Sequence, residues 1–428
     1  MKRIGLIGQS HMGIITGLGW ASLGYEVMNV DTDPNLAAAL SRGQFPIREP
    51  RLEELFDKHR HLIQYSSDFS LLSSCPLIIL TKDTPTDENN GVKPEVLLEL
   101  IRRAAPYFRN DVVFVSMSQV PVGFSRTLVS LIREERPGLP FEFYFWVETL
   151  ILGEAVQRFL EPERIIIGLE NPQNDIALKL KEFLAEFHCP VFKMKLESAE
   201  LTKAAINLYL ANSVTFANTL ADLCEASGAD IDEIIPALRL DRRIGKYAYL
   251  RPGLGIGGGN IERDLAMLHN LSPSRPLLLS ALLAYNEKRF SWLLKKLDDL
   301  VFRGRAAPHL CLWGLAYKKN TASLKNSPAL RAVNALSSRA TLVVYDPLVN
   351  NATALRDRAA VGKDRYEVLK GSDALLIMTD WDEFASIDVL RVKQLMRTPL
   401  IIDTVKALAS TKEALRDAEI KYCSMGEK

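Results

Sequence analysis

The 428-residue sequence predicts an α/β chain in which two doubly wound parallel-sheet domains are joined by a long central helix and a helical middle domain. Three observations carry that prediction. Short apolar runs alternate with segments of helical period from residue 3 to about 192, the pattern of strands crossing over through helices into a parallel sheet. The order strand, glycine, helix, strand, acid occurs twice, at 4–31 and at 310–346. Between the two lies a run from Ser198 to Ser227 free of glycine and proline.

RIGLIG at 3–8 reads as the first strand, stopped by Gly8, with a helix over 12–23 and a second strand over 26–30 that ends at Asp31. Further strands are expected at 76–80, 112–116 and 140–145, with helices over 94–105 and 126–133 between them. Runs at 164–168 and 190–192 flank a helix over 176–187 and complete a first domain, 1–197. The stretch 198–227 predicts one helix of roughly 45 Å at 1.5 Å per residue, with Gly228 placed as its stop. Its length suits a spine between domains or across a dimer, and equally a helix buried within one domain. More helix to 240, a glycine-rich loop at 251–260 and helices to about 300 make up a middle domain, 198–300. The strand grammar returns in 301–428: HLCLWG from 309, a helix near 328–336, a strand ending at Asp346, and strands at 374–379 and 399–403.

Composition excludes several classes. Apolar residues make up 47% and charged residues 25%, ordinary soluble-globular values that rule out disorder and fibrous repeats. Fifty-three basic against 52 acidic side chains leave a net charge of +1, so no overall field attracts nucleic acid or an anionic membrane. The five cysteines, Cys75, Cys189, Cys224, Cys311 and Cys423, have neither Cys-x-x-Cys spacing nor a histidine cluster, and no disulfide framework or metal site is expected. The start, MKRIGLIG, runs straight into a strand, and no apolar run approaches ~18–20 residues. A soluble cytoplasmic protein is expected.

Gly8-Gln-Ser-His-Met-Gly13 sits between a first strand and its helix, with Asp31 closing the second strand. That is where a dinucleotide fingerprint belongs. Gly8 permits the tight turn, Gly13 lets helix and strand pack closely, and the helix N-terminus offers N–H groups to a pyrophosphate. Asp31 would accept from an adenosine ribose and repel a 2′-phosphate, favouring NAD. Ser10 stands where the middle glycine belongs. TPTD at 84–87 and VPVG at 120–123 follow strands and fall at the carboxyl edge of the sheet, although ordinary turn chemistry explains each taken singly. Lys203 and Asn207 are four apart and share one helix face, as residues of a solvated face also would. Five glycines between 253 and 259, with Pro252, Leu254 and Ile256 among them, point to an ordered loop that approaches a ligand closely rather than to a flexible linker.

In this order and spacing the segments resemble the UDP-glucose/GDP-mannose dehydrogenase family across nearly the whole chain. They are IGLIG…VDTDP, PIREP-x-LEEL at 46–55, TPTD, VPVG, Glu148 with FLEPERIIIG, SAELTKAAIN at 198–207, Arg243-Ile-Gly, PGLGIGG at 252–258, GLAYKKNT at 314–321, SPAL at 327–330, VYDP at 344–347 and TDWDEF at 379–384. The resemblance implies an N-terminal Rossmann-like NAD-binding domain, a central helix that forms a homodimer, and a second Rossmann-like domain that holds a nucleotide-sugar, in polysaccharide biosynthesis. It implies catalytic roles for Glu148, Lys203, Asn207 and Asp264, with Lys203 and Asn207 holding a developing oxyanion. It implies cofactor contacts at Gly8, Ser10, Met12, Gly13, Asp31, Thr84, Gln119 and Lys325. Sugar-nucleotide contacts fall at Leu150, Arg243, Tyr249, Gly257, Tyr317 and Lys318, Arg243 reaching the neighbouring subunit's sugar.

Family members oxidise a sugar alcohol to a carboxylate in two hydride transfers, with a cysteine trapping the intermediate aldehyde. The family's cysteine position here is Asn260, its usual Ser or His neighbour is Gly259, and Gln119 and Lys325 replace a threonine and a ligand-closing arginine. Two readings stay open: a dehydrogenase limited to one two-electron oxidation, with Asn260 polarising the oxygen, and a non-catalytic family member that binds NAD or a nucleotide-sugar as a sensor or partner subunit. A substrate outside the sugar-nucleotides fits the C-terminal segments less well.

Overall fold

Residues 3–7 carry apolar side chains on both faces of an extended run, which suits a strand covered on two sides. In a computed structural model, which describes residues 3–87, 91–271, 276–305, 307–349 and 352–427, they form β1 (Arg3–Ile7). The chain divides into two units, residues 1–206 and 207–428.

In the first unit β1 is joined by β2 (Glu26–Val30), β3 (Ile63–Ser66), β4 (Leu77–Leu80), β5 (Val112–Ser116), β6 (Phe141–Trp146), β7 (Ile165–Leu169) and β8 (Val191–Lys195). The eight-stranded sheet has the order β3-β2-β1-β4-β5-β6-β7-β8. Chain order reverses beside β1, which pairs with both β2 and β4, and this is the switch point at which open α/β sheets bind ligands. One pairing departs from the expected parallel sheet: β7 runs antiparallel to β6, with Phe145 opposite Gly168. The connecting helix, Ala155–Leu160, has six residues and rises only about 9 Å, too little to carry the chain back along a strand of about 20 Å. Trp20, fully buried, fixes the first helix to the sheet through edge-on contacts with Tyr25, Trp146, Phe159, Phe183 and Phe187.

The long helix is Leu196–Ser227, 32 residues, and it ends at Gly228 as expected, the Gly228 N–H donating to Cys224 O at 2.9 Å. The second unit holds a six-stranded parallel sheet of β9 (His309–Trp313), β10 (Thr341–Tyr345), β11 (Ala360–Val361), β12 (Ala374–Ile377), β13 (Leu400–Asp403) and β14 (Lys421–Ser424), in the order β11-β10-β9-β12-β13-β14. Its core also takes in Ala221, Cys224, Ile231, Phe290, Leu293 and Leu297. Helical segments that precede β9 thus share one core with the C-terminal sheet. The two occurrences of strand, glycine, helix, strand, acid differ in use. After β9 the chain runs to Pro328 before its helix begins, and Asp346 accepts from the N–H groups of Leu315, Ala316, Leu348 and Val349, which makes it a loop anchor. Among the described residues no helix is long and apolar enough to cross a membrane.

Candidate functional site

In the first unit, Gly8 leaves β1 at φ +93, and a Cβ there would lie 2.6 Å from Cβ of Lys82. A Cβ on Gly13 would meet Gly8 O at 2.1 Å. Both glycines are therefore required by close packing at the turn. Ser10 precedes the helix His11–Ser22 and does not cap it. Its hydroxyl instead donates to Thr81 O (3.1 Å) and accepts from the Asp83 N–H (2.7 Å), tying the turn to the segment after β4. The first helical turn thus keeps N–H groups that no side chain of Ser10 occupies, which fits an anion-binding turn. Met12 is buried in the core, so what it can offer at the turn is its main chain. Asp31 is 1% exposed. Burial pushes its carboxyl up, but the Gln9 N–H (2.6 Å) and the Lys82 ammonium (3.0 Å) outweigh that and hold it below the ordinary carboxylate range. At the neighbouring strand ends, the Thr84 hydroxyl donates to Gln119 O at 2.5 Å and stitches the loops after β4 and β5 together.

The same unit holds Glu148 and Lys203. Their charged ends stand 3.2 Å apart, with side chains 13% and 9% exposed, and the Leu150 N–H donates to the other oxygen of Glu148. Three buried or half-buried groups around this unit have no role in the sequence reading. Glu49 accepts from the Gly153 N–H (2.8 Å) and the Ala155 N–H (3.2 Å) and pairs with His11 Nε2 (2.8 Å), linking the fingerprint turn to the loop that follows Leu150. Glu200, 1% exposed, accepts from the Gly123 and Ser125 N–H groups and caps the helix Phe124–Glu135 that follows VPVG. Lys82 is the third. Glu49 and Glu200 lie inside segments quoted for the resemblance, PIREP-x-LEEL and SAELTKAAIN; nothing local in sequence marks Lys82.

The second unit holds the remaining catalytic candidates. Asn207 donates to Asp264 Oδ2 at 2.5 Å, and Arg263 Nε lies 3.4 Å from Oδ1. Asp264 and Asn207 are buried, whereas Asn260, which opens the helix Asn260–Leu271, is exposed. The glycine-rich loop is ordered. Its N–H groups at Gly253, Ile256 and Gly258 donate to Asn218 Oδ1, Asn286 Oδ1 and Lys325 O, at 2.8, 2.7 and 3.0 Å. Gly258 has φ +85, and a Cβ there would meet the Tyr317 ring at 2.8 Å. Gly257 likewise faces Tyr317 and Asn326, and Lys325 lies along Gly259, its Cγ 3.3 Å from where a Cβ would be. Tyr317 and Lys318 are half-buried. Tyr249 is exposed, and Arg243 projects with 89% of its side chain exposed, paired locally with Asp241.

Glu262, in the first turn of the helix Asn260–Leu271, ties this loop down. It accepts from Asn286 Nδ2 (3.0 Å) and from Asn326 Nδ2, and each asparagine also holds the loop, at Ile256 N–H and Gly258 O respectively. Burial, opposed by the Asn286 hydrogen bond and aided by the charge of Glu287, pushes the carboxyl up from 4.5 to about 7. Between those values the folded chain retains a proton that the unfolded chain has released, so stability falls as pH rises through that window. Glu262→Gln is expected to flatten this dependence, so that between pH 5 and 8 the wild type loses about 2–5 °C more in Tm than the variant. Parallel calorimetric profiles would overturn the assignment.

Residues 2–188 match the UDP-glucose/GDP-mannose dehydrogenase family's NAD binding domain, 197–288 its central domain and 311–410 its UDP binding domain. Over 415 residues the chain is 30% identical to UDP-glucose 6-dehydrogenase TuaD of Bacillus subtilis (strain 168), covering 94% of this chain and 89% of that protein. The chain belongs to the UDP-glucose/GDP-mannose dehydrogenase family. A UDP-glucose 6-dehydrogenase of Rhizobium meliloti (strain 1021) is 29% identical over 440 residues, covering 99% of each chain. The structure of a UDP-glucose dehydrogenase from Pyrobaculum islandicum shares the fold, with a TM-score of 0.88 at 24% identity over 100% of this chain and 98% of that one. As in the family's NAD binding domain, the cofactor is NAD, and the fingerprint turn with its two close-packed glycines and uncapped helix fits it.

Proposed function

We propose that the chain is an NAD-dependent nucleotide-sugar dehydrogenase that stops after one two-electron oxidation. The observation that carries this reading is the Lys203–Glu148 pair, two charges about nine-tenths buried at 3.2 Å. Desolvating such a pair costs about as much as the attraction returns, so stability alone does not account for it, and carbonyl chemistry does. NAD supplies the hydride acceptor. Lys203 and Asn207, one turn apart on the long helix, stabilise the negative charge that develops on the alcohol oxygen as its proton leaves. Asp264, oriented by Asn207 and Arg263, takes part in that proton transfer directly or through a water.

A second oxidation needs a nucleophile to add to the aldehyde, and Asn260 cannot supply one. No other thiol substitutes. Burial pushes all five cysteine thiols above their ordinary value, Cys75 to about 11 and Cys311 well above it, the opposite of what an activated nucleophile requires. Tyr209, Phe216 and Leu223, seven apart on the long helix, are 61, 48 and 60% exposed. That apolar stripe supports a homodimer, as does the outward reach of Arg243.

The test is stoichiometric. With NAD and a panel of UDP- and GDP-sugars, the purified protein should release one NADH per sugar consumed and leave an aldehyde that a hydrazine reagent traps, and light scattering should give twice the 47.9 kDa chain mass. Two NADH with a carboxylate product would refute the single-step reading. Tight dinucleotide or sugar binding with no NADH from any sugar would favour a non-catalytic member, and a monomer would remove the dimer.

A further inference from the structure

We propose that Lys82 sets the dinucleotide selectivity of this chain by neutralising Asp31, so that the turn accepts a dinucleotide carrying a 2′-phosphate alongside NAD. The inference rests on the turn being the cofactor site and is independent of which sugar is oxidised. An acid closing the second strand favours NAD because its free carboxylate accepts from the ribose hydroxyls and repels a phosphate on the 2′ position. That requires an uncompensated carboxylate, and Asp31 is not one.

Its Oδ2 takes the Gln9 N–H at 2.6 Å and Lys82 Nζ at 3.0 Å, while Oδ1 faces the Asp33 N–H at 3.3 Å and the Thr32 hydroxyl at 3.4 Å. The Asp31 side chain is 1% exposed and that of Lys82 is 24% exposed, so the group that meets a ligand here is the ammonium. Lys82 belongs to the turn rather than passing over it. Its main chain lies against Gly8 so closely that a Cβ there would come within 2.9 Å of Lys82 N and Cα, and the next residue, Asp83, donates its N–H to Ser10. Of the nearby acids, Asp83 is exposed, and Asp33 has one oxygen committed to capping the helix Pro34–Ser41 through the Asn35 and Leu36 N–H groups. The Asp31–Lys82 pair is neutral overall, and a cation beside the ribose end of a dinucleotide site is the device that receives a 2′-phosphate.

Calorimetric titration of the full chain with NAD and with NADP, in 50 mM and 500 mM salt, tests this. The wild type is expected to bind the two within about tenfold of each other at low salt, with NADP losing affinity faster as salt rises. Lys82→Gln is expected to weaken NADP at least about tenfold relative to NAD, because the carboxylate is then uncompensated. Lys82→Arg, which keeps the charge, should retain the wild-type ratio. A ratio unchanged within twofold in Lys82→Gln, or wild-type NADP binding more than 100-fold weaker than NAD, overturns the proposal while leaving the NAD site intact. Binding of neither dinucleotide overturns the cofactor site itself and the proposal with it. Should Lys82→Gln not fold, the wild-type ratio and its salt dependence decide the matter alone.

Discussion

Lys203→Met is expected to lower turnover of whichever nucleotide-sugar the chain oxidises by about 10²–10⁴-fold and to destabilise the fold by about 3–5 kcal/mol. Both effects follow from one geometry. The Lys203 ammonium lies 3.2 Å from Glu148 Oε2, and neither side chain exceeds 13% exposure. Methionine preserves the apolar stem and removes the charge, which leaves the Glu148 carboxylate buried with the Leu150 N–H as its remaining hydrogen-bond donor in that pairing. The double variant Lys203→Met/Glu148→Gln separates the two effects. It removes the uncompensated charge and is expected to regain most of the lost stability in urea denaturation, while turnover stays low because the cation at the reacting oxygen is still missing. A single variant with wild-type stability and turnover within threefold would show that the pair serves neither purpose. Recovery of turnover in the double variant would make Lys203 a structural residue.

How far such a site can be read from sequence depends on the range of the forces that build it. The fingerprint turn was legible because its constraints are local: Gly8 needs a positive φ and Gly13 must let a helix approach a carbonyl within a few residues. The long helix and its stop at Gly228 were legible for the same reason. β3 and β14 were not, because IQYS and KYCS lie at sheet edges with mixed burial and carry no continuous apolar run. The antiparallel β7 depends on the length of a crossover helix, a property that residue pattern alone does not encode. Candidate site residues were located by their order along the chain, but their partners were not. Glu200 finds Gly123 77 residues away, and Glu262 finds Asn286 and Asn326 at separations of 24 and 64. Ser10 shows the limit most plainly. In sequence it is a defect in a glycine pattern, whereas in the fold its hydroxyl spans 71 and 73 residues to tie the turn to the next loop.

Asn260→Cys is expected to change the product from aldehyde to carboxylate and to raise the yield from one NADH per sugar to two. Position 260 opens a twelve-residue helix, where the unpaired N–H groups of the first turn stabilise a thiolate, and Lys325 runs alongside Gly259. The introduced thiol is therefore expected to react with iodoacetamide at pH 7 at least about tenfold faster than any of the five native thiols, whose burial keeps them protonated. Because Asn260 is exposed, the substitution should shift stability by no more than about 0.5 kcal/mol, so a change in product cannot be assigned to altered folding. The thiolate adds to the aldehyde carbon, whose hydride then leaves to a second NAD; the resulting thioester is hydrolysed by water, releasing a carboxylate and regenerating the thiol. A reactive thiol that still yields one NADH and free aldehyde would show that the chain has lost more than its nucleophile. Two NADH and a uronate would show that the second half of the reaction is intact around Asn260, and that one amide side chain is what holds the enzyme at the aldehyde.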